Sequence, residues 1–154
     1  MPDVTITHEQ LLSHWQGHRA LTRRVIEAFP EEHLFSYSIG GMRPFGKLAG
    51  ELLRMAVPTL EGIVTGTWPS DEDRRPVSKE GLLSAWDDDT ARIDMMWQQI
   101  PEGRLQEEDV AFGQWPGKTW WILMYVIDNE IHHRAQGYVY LRALGIEPPA
   151  FYER

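Results

Sequence analysis

Residues 120–142 read WWILMYVIDNEIHHRAQGYVYLR, an unbroken apolar run, Trp120 to Ile127, that passes directly into a polar segment rich in ionisable side chains. Gly145 follows as a left-handed cap and Pro148-Pro149 forbid continuation, so one long helix is predicted from near Pro116 to Leu144. Its first half is apolar on every side, which predicts the central, most buried helix of the fold. The run is too short for a membrane span, which needs ~20 apolar residues.

Working outward, three further amphipathic stretches precede it. Between about Thr7 and Phe29, residues Leu11, Trp15, His18, Thr22, Val25 and Phe29 recur at spacings of three and four, and Pro30 closes the stretch. After the polar, glycine-bearing segment from Glu31 to Met42, Pro44 suits the first turn of a helix whose stripe is Phe45, Leu48, Leu52, Met55, Thr59 and Ile63. Pro58 lies inside that stripe and predicts a kink or an early break. Ser78 is an N-cap for a third helix with Leu82, Trp86, Thr90, Ile93, Trp97 and Ile100 inward, up to Pro101. Asp87, Asp88 and Asp89 fall between those positions and read as a solvated helix face.

Four helices with no alternating strand pattern predict an all-α four-helix bundle, one domain over residues 1–154. Thr67 to Val77, at ~3.3 Å per residue, spans ~36 Å, enough to cross a ~20-residue helix. A long crossover between parallel second and third helices follows.

Composition narrows function. A net charge of −8 repels phosphate backbones and argues against direct nucleic-acid binding. The absence of cysteine excludes disulfides, thiolate zinc sites, iron–sulfur clusters and a cysteine nucleophile, so any metal is held by nitrogen and oxygen. Met1-Pro2-Asp3 begins no export signal, and neither a membrane partner nor an address outside the cytoplasm is expected.

Polar residues on apolar stripes are the informative ones, because burying one without a partner costs about 1–3 kcal/mol. Glu51 lies between Leu48 and Met55 on the second helix; Asn129 and His133 stand one turn apart on the fourth; His14 and His18 form a similar pair on the first. Residues four apart share a helix face closely enough to ligate one ion. Each also has an ordinary reading: Glu51 paired with Arg54 or Arg134, His133 as a hydrogen-bonded core histidine, His14 and His18 as edge and surface residues.

The run Asp128 to Arg142, followed by Gly145-Ile146-Glu147-Pro148-Pro149, resembles the C-terminal helix of the DinB family in the DinB/YfiT-like superfamily of metalloenzymes. Arg43-Pro44-Phe45-Gly46 is similar to the family's start of the second helix, and the resemblance extends from about His8 to Tyr152. It implies a four-helix bundle, often dimeric, with one divalent metal between the second and fourth helices. The family's usual ligands are three histidines; carried across, they fall on Glu51, Asn129 and His133, so only one is histidine here. His132 or Glu130 could replace a missing ligand, or water could fill the vacancies, and the carboxylate and imidazole favour Zn, Ni, Fe or Mn over Ca.

The resemblance further implies a stress-associated, DNA-damage-inducible enzyme acting on a small molecule, thiol S-transferase-like or hydrolytic, with a low-molecular-weight thiol as cosubstrate and Tyr125 or Arg134 holding an anionic substrate. The alternative is a non-catalytic dimeric bundle with a degenerate metal site. Trp68 and Trp115, expected in loops, would then line a pocket mouth or an interface.

Overall fold

Thr7 opens the first helix with a reciprocal cap: its hydroxyl accepts from the Gln10 amide at 3.1 Å, and the Gln10 side chain accepts from the Thr7 amide at 2.9 Å. The computed structural model describes residues 3–70 and 74–154. In chain order they form α1 (His8–Ala28), a short α2 (Glu31–Leu34), α3 (Phe45–Thr65), α4 (Lys79–Trp97), a 3-10 turn at Arg104–Gln106, strands β1 (Glu108–Ala111) and β2 (Trp115–Lys118), and α5 (Thr119–Ala143). The second, third and fourth helices expected from the sequence are α3, α4 and α5.

Both α1 and α3 pack on α4 and α5, while α1 and α3, on the diagonal, scarcely touch. The bundle has two apolar cores. At one end Leu11 and Trp15 of α1 join Leu60 and Ile63 of α3, Ile93 and Trp97 of α4, and Ile122 and Ile127 of α5. At the other, Val25 and Phe29 join Phe45 and Leu48, Leu82 and Trp86, and Tyr140 and Leu141. The starts of α3 and α4 therefore lie at the same end, the two helices run parallel, and the chain between them crosses the length of the bundle. Between the two cores lies a polar layer drawn from the middles of the helices.

The structure departs from the sequence reading in five places. Pro116 belongs to β2, and α5 begins only at Thr119. The hairpin, with Glu108 opposite Lys118 and Ala111 opposite Trp115, was not expected, because four-residue strands with no buried-exposed alternation leave no period to detect. The start of α5 is not buried all round: Trp120, Trp121 and Tyr125 are 41–46% exposed. The acidic run is not wholly solvated either. Asp89 is fully buried and takes both carboxylate oxygens to Arg74 Nη1 at 2.8 and 2.9 Å, fastening the crossover to α4. Finally, α3 does not break at Pro58 but continues to Thr65, where Gly66 caps it at φ +75°.

Arg104 ties the hairpin to the bundle. Its Nε donates to the Ile63 carbonyl at 2.8 Å, at the open end of α3, and one Nη to the Gly62 carbonyl at 3.2 Å, which also accepts the Gly66 N–H. The same guanidinium holds Asp109 of β1 at 2.6 Å. The hairpin is thereby fixed beside the α3–α5 groove.

Candidate functional site

Helices α3 and α5 come close because residue 137 has no side chain: a Cβ on Gly137 would lie 2.7 Å from the Phe45 ring. One turn before this contact, His133 faces α3. Its Nε2 stands 3.6 Å from Glu51 Oε1. The Asn129 side chain lies at the same carboxylate and also donates to Met55 Sδ at 3.2 Å. Glu51, Asn129 and His133 thus meet at one point between the two helices.

Glu51 is divided between two neighbours. Its Oε2 is held by Arg43 Nη2 at 2.6 Å, while Oε1 faces the imidazole. Burial pushes the Glu51 carboxyl up, but the bond and charge of Arg43, with smaller help from His133 and Asn129, outweigh it and hold the group below its ordinary value. It is therefore an anion at neutral pH.

His133 is oriented from behind. Its Nδ1 lies 2.7 Å from Gln136 Oε1, and the Gln136 amide is fixed by donating its nitrogen to Met42 Sδ at 3.2 Å. In the tautomer with its hydrogen on Nδ1, facing this oxygen acceptor, the ring directs the Nε2 lone pair toward Glu51. This arrangement, a ring nitrogen aimed by a partner on the other nitrogen, is the one metal-binding histidines use. Two donor atoms each ~2.0–2.2 Å from one tetrahedral ion stand about 3.3–3.6 Å apart, and the observed 3.6 Å separation matches. It is also too long for a direct hydrogen bond. The separation of the pair is one a divalent ion could bridge, while the Asn129 amide, as placed, turns its NH2 to Met55 and Glu51 and would have to rotate to offer its oxygen. Among the described residues no group of three His, Cys, Asp or Glu side chains could hold a metal, so an ion here would rest on two strong donors instead of three imidazoles.

Beside the pair, the groove opens into a cavity of about 270 Å³. Met55 and Thr59 of α3 form one wall, Trp121, Ile122 and Tyr125 of α5 another, and Phe112 and Trp115 of the hairpin close it. Arg54 is the charged side chain at its edge. The registers are antiparallel: Glu51, Met55 and Thr59 descend α3 as His133, Asn129, Tyr125 and Ile122 are met along α5. The polar pair and the apolar pocket are consecutive turns of one groove.

The other sequence candidates go elsewhere. Arg134 lies on the α1 side of α5, buried, donating to the His18 carbonyl at 3.0 Å and lying 3.0 Å from His18 Nδ1. Glu130 is buried on that side too and bonds Thr22 Oγ1 at 2.7 Å, so it is turned away from His133's partner helix. His132 is exposed. His14 and His18 are in ring contact at 4.5 Å, with His18 engaged by Arg134 and Arg154. Tyr125 lines the pocket, as does Trp115 from β2, whereas Trp68 seats its ring over Gly62 and donates to Asp109 at 3.3 Å. Sequence reasoning missed Arg43, which sits in a loop with no period, and Gln136, whose i+3 spacing from His133 was a readable signal.

Comparison with known proteins agrees with this architecture. The fold is similar to that of a DinB-like protein from Bacillus subtilis, with a TM-score of 0.77 and 21% identity over 94% of this chain and 99% of that one. It is similar too to a DinB-like protein from Bacillus cereus, with a TM-score of 0.76 and 20% identity over 94% of this chain and 97% of the other. No curated protein matches the chain. Likeness at such identities carries the fold alone. The model of the DinB family, however, matches residues 1–154, and the chain therefore belongs to the DinB family.

Proposed function

We propose that this protein is a metal-dependent enzyme of small-molecule chemistry, with one divalent ion held by Glu51 and His133, assisted by Asn129, and an apolar or aromatic substrate in the adjoining pocket. The observation that carries the reading is the 3.6 Å gap between Glu51 Oε1 and His133 Nε2, on a ring whose other nitrogen lies 2.7 Å from Gln136 Oε1. Thiol S-transfer is the reaction that suits the site, in the stress-related detoxification that the family likeness suggests. A divalent ion lowers the pKa of a bound thiol and so supplies a thiolate at neutral pH. In that transfer the thiol proton leaves, a sulfur lone pair forms the new C–S bond, and the leaving group departs with the old bonding pair.

The chain's own residues do the positioning. Gln136 keeps His133 in its donor tautomer, and Arg43 neutralises half of Glu51 so that one oxygen remains directed at the groove. Tyr125, Trp121 and Phe112 give the substrate side apolar, aromatic walls, with Arg54 also in the lining. The Arg43–Glu51 pair also supports the rival reading, a non-catalytic bundle in which a guanidinium replaces the ion.

Melting of tag-free protein decides between them. Because an ion that binds only the folded state stabilises it, Zn or Ni should raise the melting temperature of the wild type, and His133→Ala should abolish the rise. A wild-type curve that millimolar metal leaves unchanged overturns the enzyme reading in favour of the bundle.

A further inference from the structure

Among the described residues one residue other than glycine has a left-handed backbone: Phe112, at φ +55°. With Gly113, at φ +69°, it forms the centre of the hairpin turn, which the Gln114 N–H closes on the Ala111 carbonyl at 3.1 Å. Two positive φ angles in succession belong to the tight turn that Asn-Gly fills without strain, whereas a bulky side chain there crowds its own backbone. Phe112 therefore carries a strain that Asn or Gly would relieve. Its ring shows what the strain is kept for. It packs at 5.1 Å on Trp68, which is itself seated over Gly62, and it forms a wall of the apolar pocket beside the Glu51–His133 pair.

We propose that this pocket takes a neutral, planar aromatic group of one or two fused rings, and that Phe112 is the residue that sets the preference. The inference rests on the proposed function in taking the pocket as the substrate side, but the binding itself needs no ion. Phe112 and Trp115 of the hairpin face the pocket together with Trp121 and Tyr125 of α5, whose rings are stacked on each other at 6.1 Å. Such rings attract a further ring through offset-stacked or edge-to-face contacts, an attraction that a saturated ring of the same size lacks. Trp115, Trp121 and Tyr125 are 45–53% exposed, so the fold leaves aromatic surface for a ligand to cover. Charge finds no welcome there. Among the described residues no carboxylate lines the pocket to receive a cation, and Arg54, its charged lining residue, already has a partner. An ionic group would thus lose water without compensation. The volume, about 270 Å³, falls just below the ~300–1,000 Å³ of sites for drug-sized ligands and limits the occupant to a small ring system.

A strained residue persists only where its surroundings hold it, and such strain gathers at ligand clamps. Here the holding is done by Trp68, whose indole N–H also bonds Asp109 at 3.3 Å, and by Arg104, which ties Asp109 to the end of α3. The Phe112 ring is fixed before a ligand arrives, so little freedom is lost on binding. It is a preset face against which a flat group stacks.

Calorimetric titration of the full chain, in the presence of a chelator, with naphthol, its saturated analogue decahydronaphthol, and the charged naphthoate and naphthylmethylammonium tests the proposal. Naphthol should bind at least tenfold more tightly than each of the other three, about 1.4 kcal/mol. Phe112→Asn, which suits the turn, should keep a cooperative melting transition yet bind naphthol at least tenfold more weakly. Phe112→Leu, which keeps apolar bulk without the ring, should lower the preference for naphthol over decahydronaphthol. Trp120→Leu, on α5 but outside the lining, should leave affinity unchanged. Because the chelator removes any ion, naphthol binding and the metal-dependent rise in melting temperature succeed or fail separately. Naphthol that binds no better than its saturated or charged relatives, or that binds both Phe112 variants as it binds the wild type, overturns the inference.

Discussion

Consecutive residues of one helix turn build two opposite environments. Toward α1, Glu130 and Arg134 are sealed: Glu130 bonds Thr22 and faces the charges of Arg19 and Arg134, while Arg134 reaches the His18 carbonyl. Toward α3, Asn129 and His133 face Glu51, a quarter exposed and shared with a half-exposed arginine. Charges in the sealed layer have no solvent to fall back on, so each partner is obligatory. Charges in the open layer are partly hydrated, so partners can be exchanged for a ligand. Burial, more than residue type, separates the layer that stabilises from the layer that can bind.

The largest effect should come from breaking the sealed side. Arg134→Met removes the bonds to His18 and leaves Glu130 buried with one cation fewer, and urea unfolding should show a loss of about 3–5 kcal/mol. A loss below about 1 kcal/mol would mean that the layer is not held by charge.

Next comes pH. Burial, then the charges of Arg134, Arg154 and His14, lower the pKa of His18 from 6.5 to about 4. As pH falls, the unfolded chain takes up this proton before the folded one, so stability is whole above pH 6.5 and drains between 6.5 and 4. The drain should be on the order of 1–3 kcal/mol. Glu130 and Asp89, both pushed up by burial, act with the opposite sign. His18→Gln isolates the histidine: the difference in stability between wild type and variant should shrink as pH is lowered through this window, and a constant difference would contradict the assignment.

On the open side, Glu51→His with Asn129→His would present three imidazoles, which suit Zn and Ni better than an amide does. Metal affinity by titration should rise tenfold or more, about 1.4 kcal/mol. A double variant binding no tighter than the parent would place the ligands elsewhere. Smallest of all should be the stability change in Glu51→Gln, under about 1 kcal/mol, because the ion pair it breaks is part-exposed. A multi-kcal loss would make the two sides alike.

Helix faces were legible in the sequence because burial follows a period, which marked Glu51 and the Asn129/His133 pair as polar residues on apolar stripes, and the family resemblance brought the two stripes to face each other. Partners from irregular chain were not legible. Arg43 reaches Glu51 from a loop, and Arg74 reaches Asp89 from the crossover. Asp89 looked solvated for that reason: its sequence neighbours are acidic, but the residue that makes its burial tolerable lies 15 positions away. The hairpin escaped for a related reason, since what holds it is Arg104 gripping the end of α3, and no pattern within residues 108–118 encodes that. Glu130 and Arg134 are polar residues in the same motif as His133, and only the neighbouring helix decides which of them faces the groove.

The seating of Phe45 on bare backbone at Gly137 sets the aperture of the groove from one turn away. A methyl group at that position would wedge α3 from α5 and stretch the gap between Glu51 and His133 without altering either side chain. The distance between Glu51 and His133 is thus inherited from a packing contact that touches neither side chain. A change of bulk at this one contact would alter the geometry of the proposed ion site while both side chains stay in place.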